Sequence, residues 1–174
     1  MKKIFIALSL LVCAIPFTSC DAVDDLTEFD LSVSLSENLN IDVPEGVTTL
    51  GASVDFDYGQ VQEIADNINR IEEVAIDTFT YTITNAGGNA DAIIENVSLT
   101  FSGTTVALTS FNPTEAALSA QVFTVTDTAA LNALGDALLS NPELELSFTG
   151  TVIGAPVNFT ANFDIDVTVT VDAI

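Results

Sequence analysis

The sequence predicts an all-β fold, an antiparallel β-sandwich of about eight strands with two short connecting helices. Three observations predict it. Residues 157–171 alternate without a break: Val157, Phe159, Ala161, Phe163, Ile165, Val167, Val169 and Val171 stand against Asn158, Thr160, Asn162, Asp164, Asp166, Thr168 and Thr170. That is the pattern of a long antiparallel strand with one wet face. Shorter alternating stretches recur upstream, separated by Gly, Pro and Asn turn signals. Finally, the chain is 48% hydrophobic with a mean hydropathy of +0.47, although its formal net charge is −22. The charge therefore reads as a solvated acidic shell around a packed core, not as a mark of disorder. No internal repeat of roughly 20–50 residues appears, which argues against a solenoid or propeller.

The elements follow in order. Phe29, Leu31, Val33 and Leu35 alternate with Asp30, Ser32, Ser34 and Ser36, a first half-buried strand. Pro44-Glu45-Gly46 is a turn. Residues 47–58 form a second strand, with Val54, Phe56 and Tyr58 on one face. Over 60–73 the period changes. Val61, Ile64, Ile68 and Ile71 recur at three and four, which predicts a helix, with Asp57 and Gln60 as a capping pair.

Strands resume at 74–84. Asn85 to Asn89 is a turn cluster, and 92–101 is expected to pair back on 74–84. Ser102-Gly103 turns the chain into a short strand at 106–109, Asn112-Pro113 marks a loop, and 121–126 is another strand. Asp127 caps a second helix at 128–140, with Leu131, Leu134 and Leu138 on its buried side and Asn141-Pro142 as its stop. The last two strands, from Leu144 and from Val157, are expected to form a pair that reverses at Ile153-Gly154-Ala155-Pro156.

The N-terminus has a separate character. Lys2 and Lys3 precede an apolar run from Ile4 to Ile15, too short for a comfortable membrane span of about 20 residues. Pro16 breaks the run, and Phe17-Thr18-Ser19-Cys20 follows. This is the layout of a secretory signal with a cysteine at its cleavage point. The four residues resemble the lipobox of bacterial lipoproteins, in the looser form common in Bacteroidota, with Phe17 where Leu is usual. The resemblance implies a signal peptide at 1–19 and a diacylglycerol on Cys20. Residues 20–28 would then be the lipidated cysteine and an acidic tether, and 29–174 the sandwich domain. The tether spans at most about 28 Å.

Asp21, Asp24 and Asp25 resemble the signal that sends Bacteroidota lipoproteins to the outer face of the outer membrane. In enteric bacteria an Asp directly after the cysteine would suggest inner-membrane retention instead. The loose lipobox and β-rich body favour the first, and a soluble spacer explains the same aspartates. The body resembles the many small all-β lipoproteins of Bacteroidota. The expected location is thus the cell envelope, lipid-anchored to the outer membrane.

Composition excludes much chemistry. There is no His, and once 1–19 is removed there is no Lys. Cys13 goes with the signal and Cys20 carries lipid, so no free thiol is left. Ser-His-Asp and Cys-His arrangements, His-based zinc sites and Schiff-base lysines are ruled out. Arg70 is then the one basic residue against 25 Asp and Glu, a balance that repels nucleic acid.

Paired carboxylates remain. Asp55 with Asp57, and Asp164 with Asp166, are each spaced by two along a strand and so share a face. Such pairs could serve a carboxylate-dependent hydrolase, though the chain has no Trp for stacking sugars. They are weak candidates for Ca²⁺, since the D-x-D-x-D-G loop is missing, and a bland solvated face is favoured. No cofactor is expected otherwise. The Phe residues fall mostly on apolar positions and read as core. Asp127-Thr128-Ala129 is similar to the O-glycosylation acceptor motif of Bacteroidota exported proteins, and a helix cap explains Asp127 equally. The expected function is a non-enzymatic envelope lipoprotein with a structural or protein-interaction role. The alternatives are a binding module for a hydrophobic ligand or glycan, and a hydrolase.

Overall fold

The computed structural model describes residues 28–173. The signal, Cys20 and the tether as far as residue 27 lie outside the described residues. Eight strands follow: β1 Glu28–Val43, β2 Thr49–Asp57, β3 Ile71–Gly88, β4 Ile93–Phe101, β5 Thr104–Ala107, β6 Val122–Thr124, β7 Glu143–Ile153 and β8 Val157–Asp172. Three short helices join them: α1 Gln62–Ala65, α2 Pro113–Leu118 and α3 Thr128–Ser140. The strands form two four-stranded antiparallel sheets, ordered β1-β8-β3-β6 and β2-β7-β4-β5. The fold is the all-β sandwich that the alternation predicts.

β8 is the long strand expected at 157–171, and it is central. It pairs with β1 along its whole length and with β3 on its other side. Its odd-numbered residues, from Val157 to Val171, are all buried. They meet Phe56, Phe101, Leu146 and Phe148 from the facing sheet, so the space between the sheets is filled by large side chains. Phe163 packs against Phe79 and Phe148 edge-on, with ring centroids 6.3 and 5.9 Å apart, a favoured aromatic geometry.

Several expectations need correction. The first strand does not stop at Ser36 but runs to Val43, with Leu39, Ile41 and Val43 buried. Glu37 is the polar residue on the inward side that hides this continuation. The helix expected at 60–73 is broken. A 3-10 turn at Tyr58–Gln60, the single turn α1 and a second 3-10 turn at Ile68–Arg70 replace it, and β3 begins at Ile71. Val61 at the head of α1 offers no side-chain cap, and Asn67 leaves helical geometry at φ −117, ψ 5. Of the predicted stripe only Ile64 is fully buried, while Ile68 is exposed. A third helix, α2, starts where a loop was expected. Asn112 caps it by accepting from the Glu115 N–H at 3.0 Å, and Pro113 sits in its first turn, the sequence signature of a helix start.

The two expected hairpins are not hairpins. β3 and β4, and likewise β7 and β8, lie in opposite sheets. Each connection crosses the sandwich, so the apolar faces of the two strands meet through the core instead of lying side by side. The two crossings lock together. Asn89 donates its side-chain N–H to the Gly154 carbonyl at 2.7 Å and its backbone N–H to the Pro156 carbonyl at 2.8 Å. Gly88, at φ +88, lies so close that a Cβ would stand 2.5 Å from the Pro156 oxygen. In β4 the inward side changes partway. Ile94 is buried and Ile93 is not, whereas Val97, Leu99 and Phe101 are buried. The switch is a bulge between Glu95 and Ser98, with Asn96 at φ 49, and an extra residue reverses the parity of everything beyond it.

α3 is the helix expected at 128–140, capped by Asp127, which accepts from the Ala130 N–H at 3.1 Å. Its buried residues are Ala130, Leu134, Gly135 and Leu138, with Leu131 only partly covered. Gly135 sets the approach to β3, because a Cβ there would stand 2.2 Å from the Val74 carbonyl oxygen. Gly135→Ala should therefore push the helix off the strand and destabilise the fold by about 1–3 kcal/mol, the usual range for overpacking. An unchanged melting temperature in this variant would contradict the close approach.

Candidate functional site

The outer face of the β1-β8-β3-β6 sheet is built from Ser, Thr, Asn and Asp. Register brings them into rows. Ser34 faces Asp166 and Ser36 faces Asp164 across β1–β8, while Thr78 and Thr80 face the same aspartates across β8–β3. The Ser34 hydroxyl donates to Asp166 Oδ1 at 2.6 Å and Thr78 donates to Oδ2 at 2.7 Å. Ser36 donates to Asp164 at 2.6 Å, Thr168 to Asp77 at 2.7 Å and Thr170 to Asp30 at 2.8 Å. Farther along, Thr160 donates to Asn40 at 2.9 Å and Asn162 to Thr84 at 3.0 Å. Hydroxyls thus supply the donors that ammonium or guanidinium groups supply on less acidic surfaces. Donation from Ser34, then from Thr78, holds the Asp166 carboxyl below the ordinary aspartate range.

The other predicted pair has different surroundings. Asp55 lies directly opposite Glu145, and Asp57 opposite Glu143, on the outer face of the second sheet. Like charges placed opposite on one face repel. Asp57 accepts from the Gln60 side chain at 2.8 Å, so the expected Asp57–Gln60 contact exists without a backbone cap bond from Asp57. Asp55, Asp57, Glu143 and Glu37 border an open cleft of about 300 Å³ between the two sheets. The structure therefore does not bring Asp55/Asp57 and Asp164/Asp166 together, since they belong to different sheets. Among the described residues no group of three or more acidic, His or Cys side chains is arranged to hold a metal ion. Thr128 is exposed at the first position of α3.

A third region was not legible from the sequence. On one side of the sandwich the edge strands β5 and β6 flank a cleft of about 410 Å³. Val106, Leu108, Phe123, Val125 and Tyr81 line it, with Thr124, Thr126 and Asp127. Tyr81 is 1% exposed and stacks on Phe123 with ring centroids 4.7 Å apart. Its hydroxyl is buried without a hydrogen-bond partner among the described residues, and burial pushes its pKa up. Tyr58 contrasts with it, since its hydroxyl donates to the Leu138 carbonyl at 3.2 Å. Tyr81 carries an ordinary inward strand signal in the sequence, so nothing there distinguishes it from Phe79.

No protein-family model and no curated protein matches the chain. Among solved structures, a chain of Desmodium yellow mottle tymovirus aligns with 100% of this chain and 93% of its own length, at 9% identity and a TM-score of 0.33.

Two outcomes are expected. Asp166 should titrate below the ordinary aspartate value of about 4. It therefore contributes stability that is present above that value and lost as pH falls through its own lower pKa. In a Ser34→Ala/Thr78→Val double variant, the Asp166 midpoint followed by carboxyl NMR should return to the ordinary value, and a normal midpoint in the wild type would show the ladder unformed. Glu145→Lys should replace a repulsive pair with an attractive one. It should raise stability by about 0.2–1 kcal/mol at low salt, with the gain shrinking in about 1 M NaCl as screening takes over.

Proposed function

We propose that the chain is an envelope lipoprotein, held by lipid on Cys20 to the outer membrane, with a structural or protein-interaction role and no catalysis of its own. The observation that carries this reading is the order of residues 1–20: two lysines, a short apolar run, Pro16 and then Phe17-Thr18-Ser19-Cys20. The character of the sandwich agrees with it. The interior is filled by aromatic and aliphatic side chains. Carboxylates on one face are engaged by neighbouring hydroxyls, and on the other they stand opposite carboxylates on an open surface. A stiff, hydrated, acidic body on a short tether suits a spacer or a partner-binding module outside the membrane.

A module for a small hydrophobic ligand is the second reading. Only the cleft beside Tyr81 favours it, where Val106, Leu108, Phe123 and Val125 stand among strand backbone and Thr side chains, with one buried hydroxyl. The anchor is tested by fractionating cells that express the full chain and its Cys20→Ser variant. The wild type should sediment with membranes and label with radioactive palmitate. The variant should lose the label and leave the membrane fraction. A variant that stays there would overturn the lipoprotein reading.

A further inference from the structure

The cleft between β5 and β6 has walls of strand backbone. β5 pairs only with β4, and β6 only with β3, among the described residues. The direction of their free groups follows from the bonds they make. The Leu108 N–H is bonded to the Val97 carbonyl and the Val125 N–H to the Phe79 carbonyl. Backbone groups alternate sides along an antiparallel strand. Those of Ala107 and Thr109, and of Val122, Thr124 and Thr126, therefore point away from their ladder partners, and all five residues line the cleft. Unpaired sheet edges on both sides of a cleft, with Thr124 and Thr126 beside Val106, Leu108 and Val125, are the arrangement that accepts an added strand.

Three further features narrow the occupant. Tyr81 lines the cleft and is 1% exposed, and its buried hydroxyl has no hydrogen-bond partner among the described residues; a buried polar group in that state is stabilised by an incoming hydrogen bond. Val122 at 59% and Leu118 at 83% exposure offer apolar surface nearby. The net charge of −22 opposes a second copy of the chain and attracts a cationic partner. A rounded apolar molecule would leave the backbone groups of both edges without partners, whereas an extended peptide supplies them.

Resting on the protein-interaction reading above, we propose that this cleft binds an extended, basic segment of a partner polypeptide. The segment adds a strand at β6, with one inward side chain whose polar tip meets the Tyr81 hydroxyl.

The test uses the soluble domain from residue 21, which contains every described residue, and a blocked ten-residue peptide of alternating Lys with Val or Thr. A Glu-for-Lys peptide is the charge control. Nitrogen-15 NMR should show shifts concentrated at 106–109 and 122–127. Tyr81→Phe, which keeps the ring, should fold with an equal or higher melting temperature and bind about three- to tenfold more weakly, the effect of one hydrogen bond. Thr124→Pro removes an outward N–H without touching the β3 ladder and should abolish the shifts. Its own spectrum away from the cleft reports whether it folds, and Tyr81→Phe stands as the independent variant.

The proposal is overturned if the peptide shifts nothing at the cleft up to millimolar concentration, or shifts the acidic faces equally. It is also overturned if the Glu peptide binds as well, or if 1-hexanol shifts the cleft where the peptide does not. Concentration-dependent shifts without peptide would mean a second copy is the occupant, and would overturn it too. Each of these results leaves the Cys20 fractionation untouched, so failure here is separable from failure of the anchor.

Discussion

Strand β8 is the element on which the rest of the structure depends. One face of it supplies the middle of the core, and the other supplies the acceptors and donors of the polar ladder. Eight inward side chains from Val157 to Val171 are buried, and each fully buried aliphatic or aromatic residue is worth about 1.5–3 kcal/mol of transfer free energy before entropy is counted. The strands on both sides take their register from it, because a slip of one residue would turn Asp164 and Asp166 into the core.

That register also settles how so acidic a chain folds with so few cations. Arg70 is the only basic residue among the described ones, and it is engaged by the Asn67 side chain. The charges of Asp164 and Asp166 on the β8 face are therefore accommodated by Ser and Thr hydroxyls on the flanking strands. A hydroxyl cannot neutralise a carboxylate, so the surface stays strongly negative and hydrated. Such a surface suits a medium in which mobile cations screen repulsion. On the opposite sheet Asp55 stands beside Glu145 and Asp57 beside Glu143, so like charges face each other there, with the Gln60 side chain donating to Asp57.

How much of this the sequence disclosed depends on the range of the interaction. Alternation is local, so β8 and the face of Asp164 and Asp166 could be read residue by residue. The cap at Asp127 is local as well. Sheet membership is not. Nothing in Leu144 to Val171 distinguishes a hairpin from a crossing, because both need a tight reversal between two alternating strands. The stripe Val61, Ile64, Ile68, Ile71 misled for a related reason. Its last member belongs to a strand held by β8, and tertiary pairing overrides a weak helical preference that survives only as three short turns. The cleft at Tyr81 was illegible because it depends on where two short edge strands end, which no residue pattern states.

Native-state hydrogen exchange tests the central role of β8 most directly. Amides of Phe159 to Val169 should exchange only through global unfolding, with the same free energy as denaturant melts report. The outward amides of Val122 and Thr124 on β6 should exchange orders of magnitude faster. If the β8 amides exchanged as fast as those of β6, the sandwich would not be organised around that strand.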